Sequence, residues 1–145
     1  MQIVLKTAVT EDDVNAVRTP LLAFNATASG RSPGYFPFAF HLIDDADGVV
    51  GGATGHGSLD WVFLQLLFVP PALRGRGIGS ELLAKVEEFA RTHELIGVWL
   101  DTFSFQARPF YERHGYSVVG TIDDYPVGGR LFFMTKRLDR SQSTH

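Results

Sequence analysis

The segment from Arg74 to Gly79 concentrates residue types that suit the binding of an anion. Its six positions hold three glycines and two arginines, between an apolar run and a helix-like run. Glycine has no Cβ and lets a ligand approach the backbone closely, while arginine supplies charge and forked donors that match phosphate. The first four N–H groups of a helix lack internal partners, and the helix dipole makes that end positive. The segment therefore predicts a turn that binds a pyrophosphate.

Two nucleotide-binding motifs fit this turn poorly. A P-loop requires a lysine directly after its last glycine, and none follows here. A G-x-G-x-x-G dinucleotide fingerprint would have Ser80 or Leu82 in place of its third glycine. Asp101, at the end of the next strand-like run, could still mimic the ribose-binding acid of that motif. A nicotinamide or flavin enzyme therefore remains an alternative, as does a tight turn with solvated arginines.

The elements that must position this turn have a β-α-β-β-β-α-β-α-β-β order. Residues 2–7 (QIVLKT) predict a first strand, and the acid-rich start of residues 11–29 predicts a helix that Pro20 breaks or kinks. The later strands and helices follow the order given above, and the sequence contains neither an internal repeat nor a linker. The sequence predicts one α/β domain with a mixed sheet.

The turn itself joins a buried strand to an amphipathic helix. Residues 61–69 (WVFLQLLFV) are apolar on both faces, as in a central strand, and residues 80–94 carry one apolar helical face. Pro70 and Pro71 have no N–H, so normal sheet pairing must stop or splay after Val69.

Composition excludes several function classes. The net charge of −3 gives no global field that attracts nucleic acid or a membrane. With no cysteine, the chain has no disulfide, thiolate zinc site or cysteine nucleophile. The five histidines show no paired ligand spacing, so no metal is expected. Neither a signal peptide nor a transmembrane run is present in the sequence, so we expect a cytoplasmic protein.

Two motifs together resemble those of the GCN5-related N-acetyltransferase (GNAT) family. Arg74-x-x-Gly77-x-Gly79 matches the signature [QR]-x-x-G-x-[GA]. About 30 residues later, "ARPFYERHGY" resembles a second signature, A-x-x-[FL]-Y-x-x-x-G-[FY]. The matching positions there are Ala107, Phe110, Tyr111, Gly115 and Tyr116.

The resemblance covers nearly the whole chain and implies the fold. It predicts one GNAT N-acetyltransferase domain over residues 1–138 and a polar C-terminal tail over residues 139–145. The expected architecture is a mixed central sheet of about seven strands, with helices on both faces and a splay between the fourth and fifth strands.

The resemblance also implies acetyl-CoA as the acyl donor, with no metal. Backbone N–H groups of residues 74–80 would hold its diphosphate, and its pantetheine arm would pair with residues 66–69 like an added strand. The N–H of Leu66 or Leu67 would stabilise the oxyanion of a tetrahedral intermediate. The implied cofactor-binding residues are Leu67, Phe68, Val69, Arg74, Gly75, Arg76, Gly77, Ile78, Gly79, Ser80, Ser104, Ala107 and Phe110.

Tyr111 matches the general acid of the family, which protonates the departing thiolate. A neutral phenol suits that task because it is not ionised near neutral pH. Many family members carry an asparagine seven residues earlier that contacts the cofactor. Ser104 stands there in this chain, and Gln106 is a candidate helper.

The residue that would deprotonate the amine is not determined. Gln65 occupies the strand on which many family members carry a carboxylate base, and an amide cannot take a proton. An alkyl amine with a pKa near 10.4 is less than about 0.1% neutral at pH 7, so a base is expected unless the acceptor is less basic. The candidates are Asp60, Asp101 and His56.

The acceptor is expected to be a primary amine of a small molecule or peptide, attacked directly in a ternary complex. Family likeness places the acceptor pocket among Phe24, Asn25, Tyr35, Phe36, Gln65, Tyr125 and Arg130. A homodimer is a further expectation, since dimers are common in the family. The alternative from another class is a non-catalytic module that binds or senses acyl-CoA.

Overall fold

The computed structural model describes residues 1–139, which form two compact units, residues 1–34 and the part that begins at Tyr35. The predicted tail from residue 140 onward lies outside the described residues. The expectation of a single domain over residues 1–138 stays a prediction.

The N-terminal unit contains one helix, α1 (Glu11–Ser29). Thr10 and Asp13 form a reciprocal capping box at its start, and Gly30 ends it with a left-handed φ of 74°. The sequence predicts that Pro20 breaks or kinks this helix. The predicted break is wrong, because α1 continues through Pro20. Proline's fixed φ is compatible with a helix, although its missing N–H removes one hydrogen bond.

The predicted first strand does not form. Residues 1–6 have no regular secondary structure, and no pairing of the described sheet includes them. Because an isolated strand has no hydrogen-bond ladder of its own, an apolar run without a paired neighbour does not become a strand.

The second unit is a six-stranded mixed sheet with two α-helices. Its strand order is β1-β2-β3-β4-β6-β5, in which only β3 and β4 are parallel neighbours. The elements are β1 (Phe36–Ile43), β2 (Val49–Ser58), β3 (Trp61–Phe68), α2 (Ile78–Thr92), β4 (Gly97–Phe103), α3 (Arg108–Arg113), β5 (Ser117–Asp123) and β6 (Arg130–Arg137).

The core lies between this sheet and α2. The predicted apolar face of α2 is confirmed, since Leu83, Val86 and Ala90 have no exposed surface. They belong to one cluster with Val62 of β3 and Met134 of β6, which are also fully buried. Burial of a Val or Leu side chain contributes roughly 1.5–3 kcal/mol, so this layer anchors both the start of α2 and the central strands.

The central strands separate where the sequence predicts a splay. β3 and β4 pair only from Trp61 with Gly97 to Phe63 with Trp99, and then diverge. With the first predicted strand absent, these are the fourth and fifth strands of the sequence prediction. The α/β class and the splay are confirmed, and the strand count is six rather than about seven.

A β-bulge lies directly beside the splay. On β2, Gly55 is paired with Leu64 and the preceding Thr54 with Leu66, so Gln65 is the extra residue of β3. A bulge bends its strand and increases the local twist. It therefore turns the second half of β3 away from β4.

Candidate functional site

A cavity of about 650 Å³ opens between the diverging strands and the start of α2. One wall is the end of β3, another is the turn into α2, and the third is the segment that leads from β4 into α3. The lining residues are Leu67, Phe68, Val69, Leu73, Arg74, Gly75, Gly77, Ile78, Gly79, Ser80, Phe105, Gln106, Ala107, Phe110 and Arg113. Apolar strand residues at one end and a basic, glycine-rich turn at the other suit a ligand with an apolar arm and an anionic head.

The turn presents a run of free backbone donors. Gly75 and Gly77 both have a φ of 79°, and Gly77 is the N-cap of α2. A Cβ at either position would meet nothing within 4 Å, so both backbones face open space. Within residues 1–139, no acceptor pairs with the N–H groups of residues 75–80, the last three of which begin the helix. The helix dipole adds to their partial positive charge, and an anion is favoured there.

Arg74 ties this turn to the end of β3. Its Nε donates to the carbonyl oxygen of Val69 at 2.9 Å, and its guanidinium carbon lies 5.9 Å from the centre of the Phe68 ring. Pro70 cannot continue the sheet ladder, so the arginine satisfies a carbonyl at the point where the strand stops. Its remaining guanidinium donors are left for the cavity.

Most of the predicted cofactor-binding residues line this cavity, and two do not. Arg76 lies on the exposed turn outside the lining. The Ser104 hydroxyl accepts from the N–H of Arg130 at 3.1 Å, so it holds β6 against the end of β4. The Ser104 oxygen is thus engaged with β6, and its predicted contact with the cofactor stays a prediction.

Four lining residues were missed by the sequence analysis as cofactor contacts: Leu73, Phe105, Gln106 and Arg113. Gln106, considered only as a helper, accepts from the N–H of Phe103 at 2.8 Å and so closes the turn after β4. Arg113 carried a usable signal, because it stands two residues after the motif tyrosine and three after Phe110. One helical turn places it on the same side as Phe110.

Tyr111 is buried in α3, 7% exposed, with its ring edge-on to Phe110 at 5.1 Å. Desolvation by burial, with a smaller effect of the Asp101 carboxylate, raises the pKa of Tyr111 to about 12. Among residues 1–139, the Tyr111 hydroxyl has no hydrogen-bond partner. In the same residues, every fully buried polar side-chain atom does have a hydrogen-bond partner. The hydroxyl oxygen therefore reaches accessible surface while the ring stays in the core.

The candidate bases are separated by the structure. Asp101 lies on β4 two residues beyond its last pairing with β3, and its charge reaches Tyr111. Asp60 is in the turn before β3, and its carbonyl accepts from Ile96 at the closed end of the strand pair. Six residues of strand separate it from Leu66, roughly 20 Å. The register thus places Asp60 at the end of β3 that is remote from the gap, and its role as a base stays a prediction.

His56 and Gln65 also differ from expectation. His56 is paired with Phe63, the last β3 residue that contacts β4, and its ring packs 5.4 Å from Tyr35. Gln65, which the sequence analysis places in the acceptor pocket, is exposed at the bulge of β3. Leu66, the proposed oxyanion donor, follows it on the half of β3 that has left β4.

Within the second unit, the predicted acceptor residues do not form one cluster. Tyr125, in the β5–β6 hairpin, lies 5.2 Å from Phe103, which stacks on the cavity residue Phe105 at 5.1 Å. Phe36 instead packs on His93 at the end of α2, 4.7 Å away, and its role at the acceptor stays a prediction. Arg130 is paired with Asp123 at 3.1 Å.

Two further predicted acceptor residues belong to the other unit. Phe24 and Asn25 lie on α1, in the N-terminal unit. Their role stays a prediction.

The described part of the chain lacks two further features. Residues 1–139 contain no group of three or more side chains that could hold a metal ion. None of their helices combines the length and apolar character that crossing a membrane needs.

The model of the acetyltransferase (GNAT) family matches residues 8–116, which include the turn, the splay and the Tyr111 helix. The chain belongs to the GNAT family. Its known relatives agree: an acetyltransferase of Agrobacterium fabrum is 35% identical over 137 residues, 94% of this chain and 99% of that protein. Blasticidin-S acetyltransferase of Streptomyces morookaense is 35% identical over 127 residues, 86% of this chain and 93% of its own length.

A solved structure supports the GNAT fold over nearly the whole chain. A crystal structure from Agrobacterium tumefaciens, assigned as an acetyltransferase, superposes with a TM-score of 0.88 at 34% identity. It covers 95% of this chain and 100% of its own. The GNAT assignment made from the two motifs is therefore confirmed.

Proposed function

We propose that this GNAT protein is an N-acetyltransferase that moves the acetyl group of acetyl-CoA to a primary amine of a small molecule. The observation that carries the proposal is the single cavity in which a donor-rich helix start and an unpaired strand edge meet. A diphosphate needs the first feature, and an amide-bearing thioester arm needs the second.

The cofactor would lie across both walls. Its diphosphate would accept from the N–H groups of residues 75–80, with Arg74 and Arg113 adding charge. Its pantetheine amides would pair with β3 between Leu66 and Val69, where β4 has moved away. This arrangement presents the thioester carbonyl to the N–H of Leu66, which would stabilise the tetrahedral oxyanion.

The chemistry would be a direct attack by the amine nitrogen on the thioester carbon. The new C–N bond forms first and gives the tetrahedral oxyanion. Its collapse restores the carbonyl and breaks the C–S bond, so the sulfur leaves as a thiolate. Asp101, the candidate carboxylate that lies near Tyr111, would receive the amine proton through water. A less basic amine would not need that step.

Tyr111 would act mainly as a hydrogen-bond donor to the departing sulfur. Full proton transfer from a phenol with a pKa of about 12 to a thiolate whose acid has a pKa near 8.5 is uphill by roughly 5 kcal/mol. A hydrogen bond to a developing anion stabilises it without that cost. Protonation of the sulfur from solvent then completes the reaction.

Two observations support a small-molecule acceptor. The related blasticidin-S acetyltransferase acts, by its name, on blasticidin S. In this chain, the aromatic group Phe103, Phe105 and Tyr125 borders the cavity, and Phe105 and Tyr125 are 69% and 47% exposed. Exposed rings suit a small acceptor with a planar or apolar part.

The test is release of free thiol from acetyl-CoA in the presence of a panel of amines that includes blasticidin S and a peptide N-terminus. We expect acceptor-dependent thiol release with at least one small amine, and acetylation of that amine by mass spectrometry. Saturable CoA binding without release across the panel would favour the acyl-CoA-binding module. Binding of a dinucleotide but not of CoA would support the nicotinamide or flavin alternative.

Replacement of Gly77 by alanine tests the turn directly. The left-handed φ of this residue strains any Cβ by roughly 1–2 kcal/mol, and the N–H groups around it would tilt out of line. We expect CoA affinity, measured by titration calorimetry, to fall at least tenfold. Gly128→Ala is a matched control, because that residue has a φ of 84° and equal free space but lies in the β5–β6 hairpin. An equal loss of affinity in both variants would contradict the binding role of the turn.

A further inference from the structure

His114 joins the Tyr111 helix to the cavity wall through two hydrogen bonds. Its Nδ1 lies 2.9 Å from the carbonyl oxygen of Phe110, one turn earlier in the chain. Its Nε2 lies 2.9 Å from the hydroxyl of Ser80. Ser80 is in the first turn of α2 and lines the cavity at its anion-binding end.

The first contact determines the tautomer of the neutral ring. A carbonyl oxygen only accepts, so Nδ1 must carry a hydrogen and donate to Phe110. In the neutral imidazole, Nε2 is then an acceptor and takes the hydroxyl hydrogen of Ser80. In that state Ser80 presents only oxygen lone pairs to the cavity, which oppose an anion.

A protonated ring reverses the second contact. With hydrogens on both nitrogens, Nε2 donates to the Ser80 oxygen, and the hydroxyl hydrogen is free to turn into the cavity. A phosphate oxygen placed there would accept it. The chain from Nε2 through the hydroxyl to the phosphate is then charge-assisted at both ends.

We propose that His114 is a positioning residue that takes up a proton when the diphosphate binds and thereby turns the Ser80 hydroxyl toward it. The inference rests on the proposed function, because it requires a diphosphate at the start of α2. It goes further by assigning a residue outside the cavity lining to cofactor binding and by linking that binding to pH.

The charged groups around the contact between His114 and Ser80 favour a link between diphosphate binding and protonation of His114. On α3, Arg108 and Glu112 are paired at 3.5 Å, and on the other side Glu87 of α2 is paired with Lys136 of β6 at 3.0 Å. Tyr111 and Tyr116 stay neutral, since burial raises the pKa of both phenols.

Arg113 and Arg74 are the nearby cations that line the cavity. Within residues 1–139, Arg113 has no carboxylate partner. Their positive charge disfavours a second cation at His114 until a diphosphate neutralises it. Because anion and proton each reduce the cost of the other, the two bind cooperatively.

The experiment is calorimetric titration with dephospho-CoA between about pH 6 and pH 8.5. This probe keeps the diphosphate but lacks the phosphate monoester, which itself titrates near pH 6. Since histidine exchanges its proton in this range, we expect wild-type affinity to weaken about tenfold as the pH rises, for a coupling of one pKa unit. Titrations in buffers of different ionisation enthalpy should show net proton uptake near pH 7.

Three variants separate the relay from other causes. His114→Asn keeps a donor toward Phe110, and His114→Gln keeps a polar group at Ser80, but neither titrates, so both should give pH-independent affinity. Ser80→Ala should lose the part of the slope that passes through the hydroxyl and keep the part that arises from charge alone. If Ser80→Ala kept the full wild-type slope, the histidine would act through its charge alone and the relay would be wrong.

His93 supplies a matched control. Its Nδ1 contacts the Phe89 carbonyl at 3.0 Å, as His114 contacts Phe110, but its ring packs against Phe36 and Phe89 rather than a serine. His93→Asn should keep the wild-type slope. Dephospho-CoA binding with no pH dependence in the wild type would overturn this inference alone, whereas no binding at any pH would overturn the proposed function as well.

Discussion

Replacement of Tyr111 by phenylalanine should lower kcat by roughly 100-fold, the usual effect of removing one donor to an anion that develops in the transition state. The ring packs in the core and remains in the variant, so folding and CoA affinity should change by no more than a few-fold. Because the pKa of Tyr111 is raised to about 12, the phenol stays protonated as the pH rises through the neutral range. The wild-type kcat should therefore show no loss from Tyr111 ionisation up to about pH 10. Steady-state kinetics with the best acceptor of the amine panel measures both.

The matched control for this variant is Tyr116→Phe. It deletes the same hydroxyl from a neighbouring ring, 5.9 Å away, but that hydroxyl donates to Glu87 at 2.9 Å and not to the cavity. We expect kcat to stay within a few-fold in Tyr116→Phe, with a loss of stability instead. An unchanged kcat in Tyr111→Phe, or equal losses in the two variants, would remove Tyr111 from the mechanism.

Replacement of Lys136 by methionine should lower the free energy of unfolding by roughly 3 kcal/mol, because it leaves the buried Glu87 carboxylate without its countercharge. The Lys136 Nζ donates to both carboxylate oxygens, at 3.0 and 3.2 Å. The two side chains are only 13% and 10% exposed, so solvent screens them little. Arg91 is also paired with this carboxylate, but at 3.9 Å and from a side chain that is 57% exposed, so it compensates only in part. Urea denaturation measures the change.

A double variant distinguishes the lost countercharge from lost packing. Adding Glu87→Gln removes the unpaired charge, while the amide oxygen can still accept from the Tyr116 hydroxyl. The double variant should therefore be more stable than Lys136→Met alone, a positive coupling of adjacent sites. A Lys136→Met loss below about 1 kcal/mol would show that the pair behaves like a surface ion pair, contrary to its burial.

The parts of the fold that could be predicted from sequence are those with local causes. The apolar face of α2 and the end of sheet pairing at the prolines after β3 each have causes within a few residues, and both predictions were correct. The first strand failed because residues 2–7 have strand composition but no paired neighbour, and pairing is not visible in a single segment. The continuation of α1 through Pro20 could not be predicted, because a proline inside a helix removes a hydrogen bond and clashes with the preceding turn.

In the candidate site, too, features with local causes could be predicted, and features that depend on distant contacts could not. The turn at Arg74–Gly79 was predictable because its glycines, arginines and helix start are adjacent in sequence. The position of Asp60 relative to the gap could not be predicted, because it depends on which end of β3 opens, and that follows from the register with β4. The bulge at Gln65 and the contact between Ser80 and His114 arise only when strands and helices from distant parts of the chain meet.

The central claim is that the N–H groups before and within the first turn of α2 hold the diphosphate of CoA. Amide chemical shifts of residues 75–80, followed by NMR during titration with CoA, test it most directly. The account predicts large shifts that saturate together at these six residues and smaller ones along Leu66–Val69, with none of comparable size in the β5–β6 hairpin. Saturable CoA binding that leaves these amides unmoved, or no CoA binding at all, would contradict it.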